Sequence, residues 1–254
     1  MINKILIIIW FTLRPRFYLH FFSLIKRKFL FNHDTIINRR KAEVWAAGNA
    51  ISYTEALQKL GIKGETIGLD IHTINDGRML EESTSVKMGG SAHINLIYDC
   101  VRLLKAEKVI ETGVAYGWSS LAILKAFHDV GAGKLYSVDM PYPRKNNEKE
   151  VGIVVPQYLR ENWVLIRKPD KPGITEALKK LNGKIDICHY DSDKSWWGRH
   201  YAYPILWKSL KSNGLFISDD IQDNLYFSKF VSNKSSSFAV VKFKEKYVGL
   251  IRKK

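Results

Sequence analysis

The stretch Lys108 to Phe127, KVIETGVAYGWSSLAILKAF, restricts the fold more than any other part of the chain. Val109 and Ile110 read as a short buried strand. The chain then breaks at Glu111-Thr112-Gly113 and resumes at Trp118 with Leu121, Ile123, Leu124 and Phe127 apolar at helical spacing. Gly113 and Gly117 remove side chains where the chain turns, so that backbone N–H groups and a helix N-terminus can approach a ligand closely. Ser119 and Ser120 stand in the first helical turn, where hydroxyls satisfy orphan amides. A second strand, Lys134 to Val138, ends in Asp139, 22 residues beyond Gly117. That is about where a doubly wound nucleotide-binding fold sets a carboxylate on ribose hydroxyls. Glycine is absent at two places of the dinucleotide pattern, so the loop is not that fingerprint, and glycines that only permit tight packing are the alternative.

ETGVAYGWSS followed by YSVDMPYP resembles the first two sequence blocks of class I S-adenosylmethionine-dependent methyltransferases, over roughly Met88 to Phe230. The resemblance is to a bacterial branch of sugar, glycan and small-molecule O-methyltransferases, which also resembles the cephalosporin-hydroxylase group. It implies that Glu111, Gly113, Ala115 and Gly117, with neighbouring Tyr116, Trp118 and Ser119, hold the methionine part of S-adenosylmethionine. Asp139 would hold the ribose, and Asp191 is a further candidate for cofactor contact. The fold class expected is α/β: a Rossmann-like, doubly wound seven-stranded sheet whose last two strands are antiparallel, with an N-terminal helical extension. Three parts are expected: residues 1–35 as a basic amphipathic segment, 36–90 as a helical cap and lid, and 91–254 as the methyltransferase domain.

The net charge of +15 points to an anionic partner such as a membrane surface, a nucleic acid or a phosphorylated substrate. Two cysteines, Cys100 and Cys188, both in apolar stretches, suit neither a disulfide framework nor a zinc site, and a reducing cytoplasm is the expected location. The chain opens with Ile5 to Leu13 apolar, but Arg14-Pro15-Arg16 interrupts it well before the roughly 20 apolar residues that span a bilayer. No small-residue cleavage site follows, as a secretory signal would need. Phe17, Phe21, Phe22, Phe29 and Leu30 then mix with Lys26, Arg27 and Lys28, a composition that suits a helix lying in the interface of an anionic membrane. Burial against the catalytic domain, or in a homo-oligomer, is the competing expectation. Arg39 to Leu60 reads as helical with a capping box at Ser52 to Glu55, and Lys63 to Gly90 as loops or a lid. Met88-Gly89-Gly90-Ser91 then opens a helix over Ala92 to Leu104. Tyr142, Arg144 and Lys145, on the loop after Asp139, could meet an anionic substrate.

The chemistry is expected between Lys184 and Asn224. A strand over Ile185 to Tyr190 runs into Asp191-Ser-Asp193-Lys194, and a second over Leu215 to Ser218 runs into Asp219-Asp220. Neighbouring parallel strands would bring these carboxylates to one sheet edge, where like charges raise one another's pKa or demand a cation. A hard divalent ion, Mg²⁺ or another, meets that demand. The arrangement resembles catechol O-methyltransferase, and the resemblance implies Asp191, Asp219 and Asp220 as metal ligands and Lys194 as base. His189 is a second proton acceptor by type, although a lone strand histidine is more often structural. A metal-free reading keeps Asp191 as a substrate-positioning residue. Trp196 and Trp197 beside the site are split between one wall and one core residue. Phe238 to Phe243 and Tyr247 to Ile251 alternate like a closing hairpin.

The favoured reading is an O-methyltransferase acting on a glycan, lipid-linked or not, or on a small molecule, peripheral on the inner face of the cell membrane. An RNA methyltransferase is the first rival. It is disfavoured because no Asn/Asp-Pro-Pro-Tyr block follows the fourth strand and no RNA module is visible. A non-catalytic methyltransferase-like scaffold is the second, and a hydroxylase lacks a clear 2-His-1-carboxylate set.

Overall fold

The computed structural model describes residues 2–143, 147–234 and 237–254. Helix α1 (Ile2–Thr12), a 3-10 turn at Pro15–Phe17 and helix α2 (Tyr18–Arg27) come first, followed by α3 (Ile36–Asn49), strand β1 (Ala50–Ile51), α4 (Tyr53–Lys59) and α5 (Ile71–Glu82). Helix α6 (Ile94–Leu103) leads into β2 (Lys108–Thr112), α7 (Trp118–Val130), β3 (Lys134–Val138), β4 (Trp163–Ile166) and α8 (Asp170–Lys180). Then come β5 (Ile185–Tyr190), α9 (Trp196–Ser209), β6 (Leu210–Ser218) and α10 (Tyr226–Ser232), and strands β7 (Ser237–Phe243) and β8 (Lys246–Arg252) end the chain.

The strands form one sheet in the order β1-β7-β8-β6-β5-β2-β3-β4. β8 is antiparallel to both β6 and β7, and the remaining pairings are parallel. Parallel strands need both faces covered, and each face has its own core. Along β2, Val109 packs on the side of α4, α6 and α7, and Ile110 on the side of α8, α9 and α10, the alternation that a strand imposes. Both side chains are fully buried. From β2 the chain goes to β3 and β4 on one side and then crosses to β5 on the other, so the strand order reverses between β2 and β5.

Seven strands and the antiparallel final pair are the expected ones, and β1 is the addition. It divides the continuous helix expected from Arg39 to Leu60, because Ala50 and Ile51 pair with Val240 and Val241 at the sheet edge. Ser52 then caps α4 with both bonds of the capping box to Glu55 in place, which requires the extended backbone it adopts (φ −61°, ψ 156°). In the stretch expected to be loop or lid, α5 forms behind an Asp70 side chain that accepts the Thr73 N–H at 2.8 Å. Among the described residues no single helix is long and apolar enough to cross a membrane, and the two N-terminal segments that reach that length together are bent by 109°.

Candidate active site

The carboxyl ends of β2, β3 and β5 meet beside the reversal of strand order, where ligands of open α/β sheets bind. After β2 the backbone turns left-handed at Gly113 (φ +81°), Ala115 (φ +48°) and Gly117 (φ +93°), and α7 begins at the next residue. A Cβ on Gly113 would lie 2.2 Å from the Asp191 carbonyl oxygen, and one on Gly117 would lie 2.8 Å from Gly152 Cα. Glycine is the residue that takes both these angles and these approaches without strain. The turn is thereby pressed against the end of β5, and Gly113 to Tyr116, Trp118 and Ser119 line a cavity of about 1220 Å³. That exceeds the roughly 300–1,000 Å³ of ordinary ligand pockets and leaves room for two reactants.

Asp139, at the end of β3, lines the same cavity and is nearly buried. Its Oδ1 accepts the Val114 N–H at 3.0 Å, and its carboxylate is ion-paired with Arg167 just beyond β4. Burial raises its pKa, while the Arg167 charge and the Val114 N–H oppose that. Arg167 follows directly on β4, at the carboxyl end of a strand of this sheet, where side chains face the crevice.

The end of β5 supplies Asp191, whose pKa burial first and the Asp219 charge second push up to about 6, against Lys194. Lys194 Nζ lies 3.0 Å from Asp191 Oδ1 and is ion-paired with Asp220, which Lys246 also approaches at 3.2 Å. Burial alone would lower the Lys194 pKa, but the two carboxylates raise it well above its ordinary value. His189 is fully buried, 3.7 Å from Glu111 Oε1 and 3.5 Å from Asp219 Oδ1. Burial lowers its pKa and the charges of Asp219 and Glu111 raise it further, to about 10. Glu111 Oε2 accepts from Ser120 Oγ at 2.5 Å and Ser137 Oγ at 2.6 Å.

Helix α2 closes the outer side of the cavity with His20, Ser23, Leu24, Lys26 and Arg27. Arg27 is ion-paired with Asp193 and reaches Ser195 Oγ at 3.4 Å. Trp197 lines the cavity, whereas Trp196 packs with the core near Tyr226 and stacks on His33, 4.3 Å between ring centroids. The two tryptophans therefore divide as expected.

A family model described as a methyltransferase domain matches residues 110–221. The fold is that of the class I, S-adenosylmethionine-dependent methyltransferases. The S-adenosylhomocysteine-bound methyltransferase PaMTH1 of Podospora anserina superposes at TM-score 0.55 with 14% identity, over 79% of this chain and 95% of its own. The O-methyltransferase of Bacillus cereus, in complex with S-adenosylhomocysteine, superposes at 0.54 with 12% identity, over 84% of this chain and 100% of its own. TomG of Streptomyces achromogenes, an O-methyltransferase of tomaymycin synthesis in complex with S-adenosylmethionine, does so at 0.51 with 12% identity, over 79% and 96%. No curated protein matches the chain in sequence.

Within this fold the expected site residues divide by position. Gly113, Ala115, Tyr116, Trp118, Ser119, Asp139, Asp191 and Lys194 line the cavity, as does Tyr142. Gly117 lies behind it, shaping the turn. Arg144 and Lys145 lie outside the described residues. Glu111 and His189 are not in the wall of the cavity: Glu111 is consumed by two serines, and His189 by two carboxylates in the sheet. Asp191, Asp219 and Asp220 do not form a metal centre, since among the described residues no three His, Cys, Asp or Glu side chains converge to hold an ion. Their charge is already balanced by Lys194, Lys246 and His189, so a divalent ion does not fit these residues as placed. The Asp191 and Asp220 charges raise the Lys194 pKa, which favours its charged form over the role of base.

Proposed function

We propose that the chain transfers a methyl group from S-adenosylmethionine to a hydroxyl of a sugar or glycan acceptor, carried on a lipid, or of a small molecule. The observation that carries this reading is the left-handed turn at residues 113–117 opening, beside Asp139 and Asp191, into one cavity large enough for both reactants. The Bacillus and Streptomyces neighbours are O-methyltransferases, which supports oxygen as the acceptor atom.

When bound, S-adenosylmethionine supplies an electrophilic methyl group on a sulfonium. The turn at 113–117 and the N-terminus of α7 suit its amino-acid end, because the amides of a helix's first turn favour a carboxylate. Asp139, fixed by Val114 N–H and Arg167, keeps acceptor capacity for ribose hydroxyls. Asp191 takes the proton of the acceptor hydroxyl, and its raised pKa makes it a better base than an exposed aspartate. Lys194 stays charged, holds Asp191 and Asp220 apart, and favours negative charge developing on the hydroxyl oxygen. Trp197 and Tyr201 offer apolar wall on which a sugar face can stack. The rate gain comes chiefly from holding the oxygen in line with the methyl group.

Calorimetric titration of S-adenosylmethionine into the full chain tests the cofactor half. Wild type is expected to bind, and Asp139→Asn to bind at least about tenfold more weakly. A wild type that binds none overturns the reading. Asp191→Asn is expected to keep cofactor binding and lose about 10²–10⁴-fold in turnover with a hydroxylated acceptor. Unchanged turnover would remove Asp191 as proton acceptor.

A further inference from the structure

We propose that α1 and α2 form a docking surface for an anionic lipid bilayer. The two helices share a small aromatic core: Trp10 and Phe17 stack with ring centroids 5.1 Å apart, and Phe11 and Phe21 do so at 5.0 Å. Phe11 and Phe17 are buried. Outside that core, apolar side chains that do not line the cavity are exposed, Phe22 61% on α2, Ile8 47% on α1, and Phe29 85% just past α2. Large apolar side chains gathered on one short unit mark an interaction surface.

A bilayer fits this surface better than a second copy of the chain. Lys28 is exposed beside Phe29, and Arg16 and Lys26 are exposed at the mouth of the cavity, in a chain of net charge +15. Two such faces pressed together would bring like charges into contact. An anionic membrane surface instead attracts each of them and takes the apolar residues into its acyl boundary. Eleven residues in α1 and ten in α2 give rods of only about 15 Å each, half the hydrocarbon thickness, and the bend of 109° sets them across one another. Such a unit lies in the interface and does not cross it.

Helix α2 is also the outer wall of the cavity, through His20, Ser23, Leu24 and Arg27, with Leu19 and Lys26 at its mouth. Contact with lipid and access for the acceptor therefore share one helix. The inference rests on the proposed methyl transfer for what docking serves, but not for the docking itself.

Co-sedimentation of the full chain with vesicles of phosphatidylcholine, with and without phosphatidylglycerol, tests it. The wild type is expected to bind the phosphatidylglycerol vesicles more tightly than phosphatidylcholine alone, and less tightly as salt rises. Phe22→Glu/Phe29→Glu is expected to lower partitioning at least about tenfold. Cooperative thermal melting near the wild-type temperature shows that the variant folds, and Ile8→Glu on α1 repeats the test should it not. Wild type that ignores phosphatidylglycerol vesicles overturns the proposal, as does a variant that partitions like wild type. So does a wild-type dimer in sedimentation velocity that Phe22→Glu/Phe29→Glu dissociates, since the occupant would then be a second copy. Vesicle binding without S-adenosylmethionine binding leaves docking standing while methyl transfer falls, and the reverse result separates them the other way.

Discussion

At the scale of single residues, the buried His189 decides how the sheet tolerates its carboxylates. Glu111 and Asp219 flank it at 3.7 and 3.5 Å, and their charges outweigh burial to hold its pKa at about 10. The ordinary histidine value is 6.5, so between the two values the folded chain binds a proton that the unfolded chain does not. This stabilisation is complete below pH 6.5 and is lost as pH rises through about 10. Urea denaturation across that window should show stability falling with pH, and His189→Gln should flatten the slope. The same variant leaves two buried carboxylates without a cation and should cost about 3–5 kcal/mol. A wild type equally stable at pH 7 and pH 10 would show that His189 is neutral in the fold. Asp191 runs in the opposite sense for catalysis: with a pKa of about 6 it must lose its proton to accept one, so turnover should rise with pH through that value. Asp139 and Asp191 were legible because they end strands, and strand ends of this topology face the crevice. The fate of Glu111 was not, because Ser120 and Ser137 reach it from α7 and β3, and sequence spacing does not show which face of a strand a polar side chain takes.

At the scale of elements, two glycines at the ends of the same structural run separate backbone strain from close packing. Gly113 before α7 and Gly131 after it both hold positive φ, +81° and +84°. A Cβ on Gly131 meets nothing within 4 Å, whereas on Gly113 it meets the Asp191 backbone. Gly131→Ala should therefore cost only the left-handed strain of about 1–2 kcal/mol and leave S-adenosylmethionine affinity alone. Gly113→Ala should cost more in thermal unfolding and also weaken cofactor binding, because the turn and the end of β5 must part. Equal effects of the two on affinity would mean that the approach of these loops does not shape the site. The βα unit itself was legible because local periodicity and glycines specify it. The division of α3 from α4 was not: Ala50-Ile51 suits a helix locally, and only pairing with Val240 and Val241, almost 200 positions away, makes it a strand. Helix α5 was hidden for the converse reason, since its polar sequence buries little and is set by the Asp70 cap and by packing of Gly77 against the Trp118 ring.

At the scale of the whole molecule, the N-terminal unit is tied to the catalytic face by few groups. Arg27 pairs with Asp193 on the loop that follows β5, Trp197 Nε1 donates to the Phe31 carbonyl at 3.2 Å, and Asp34 accepts from the Trp196 N–H at 2.9 Å. The Arg27–Asp193 pair is partly exposed, 23% and 29%, so its contribution to global stability is at most about 1 kcal/mol. Its influence on local opening is larger, because the helix it anchors has little else holding that end, and the elements with fewest buried contacts open at the lowest free energy. The amphipathic composition of residues 17–31 was visible in the sequence. Which side would meet the domain was not, because the choice depends on where Asp193 stands in the folded sheet. Arg27→Met keeps the length of the side chain and removes the ion pair. Hydrogen exchange should then accelerate in residues 18–27 while the amides of β2 and β5 keep their protection, with the melting temperature nearly unchanged. Acceleration spread evenly over the sheet would show that α2 belongs to the same cooperative unit as the core, and that the outer wall of the cavity opens only when the whole molecule does.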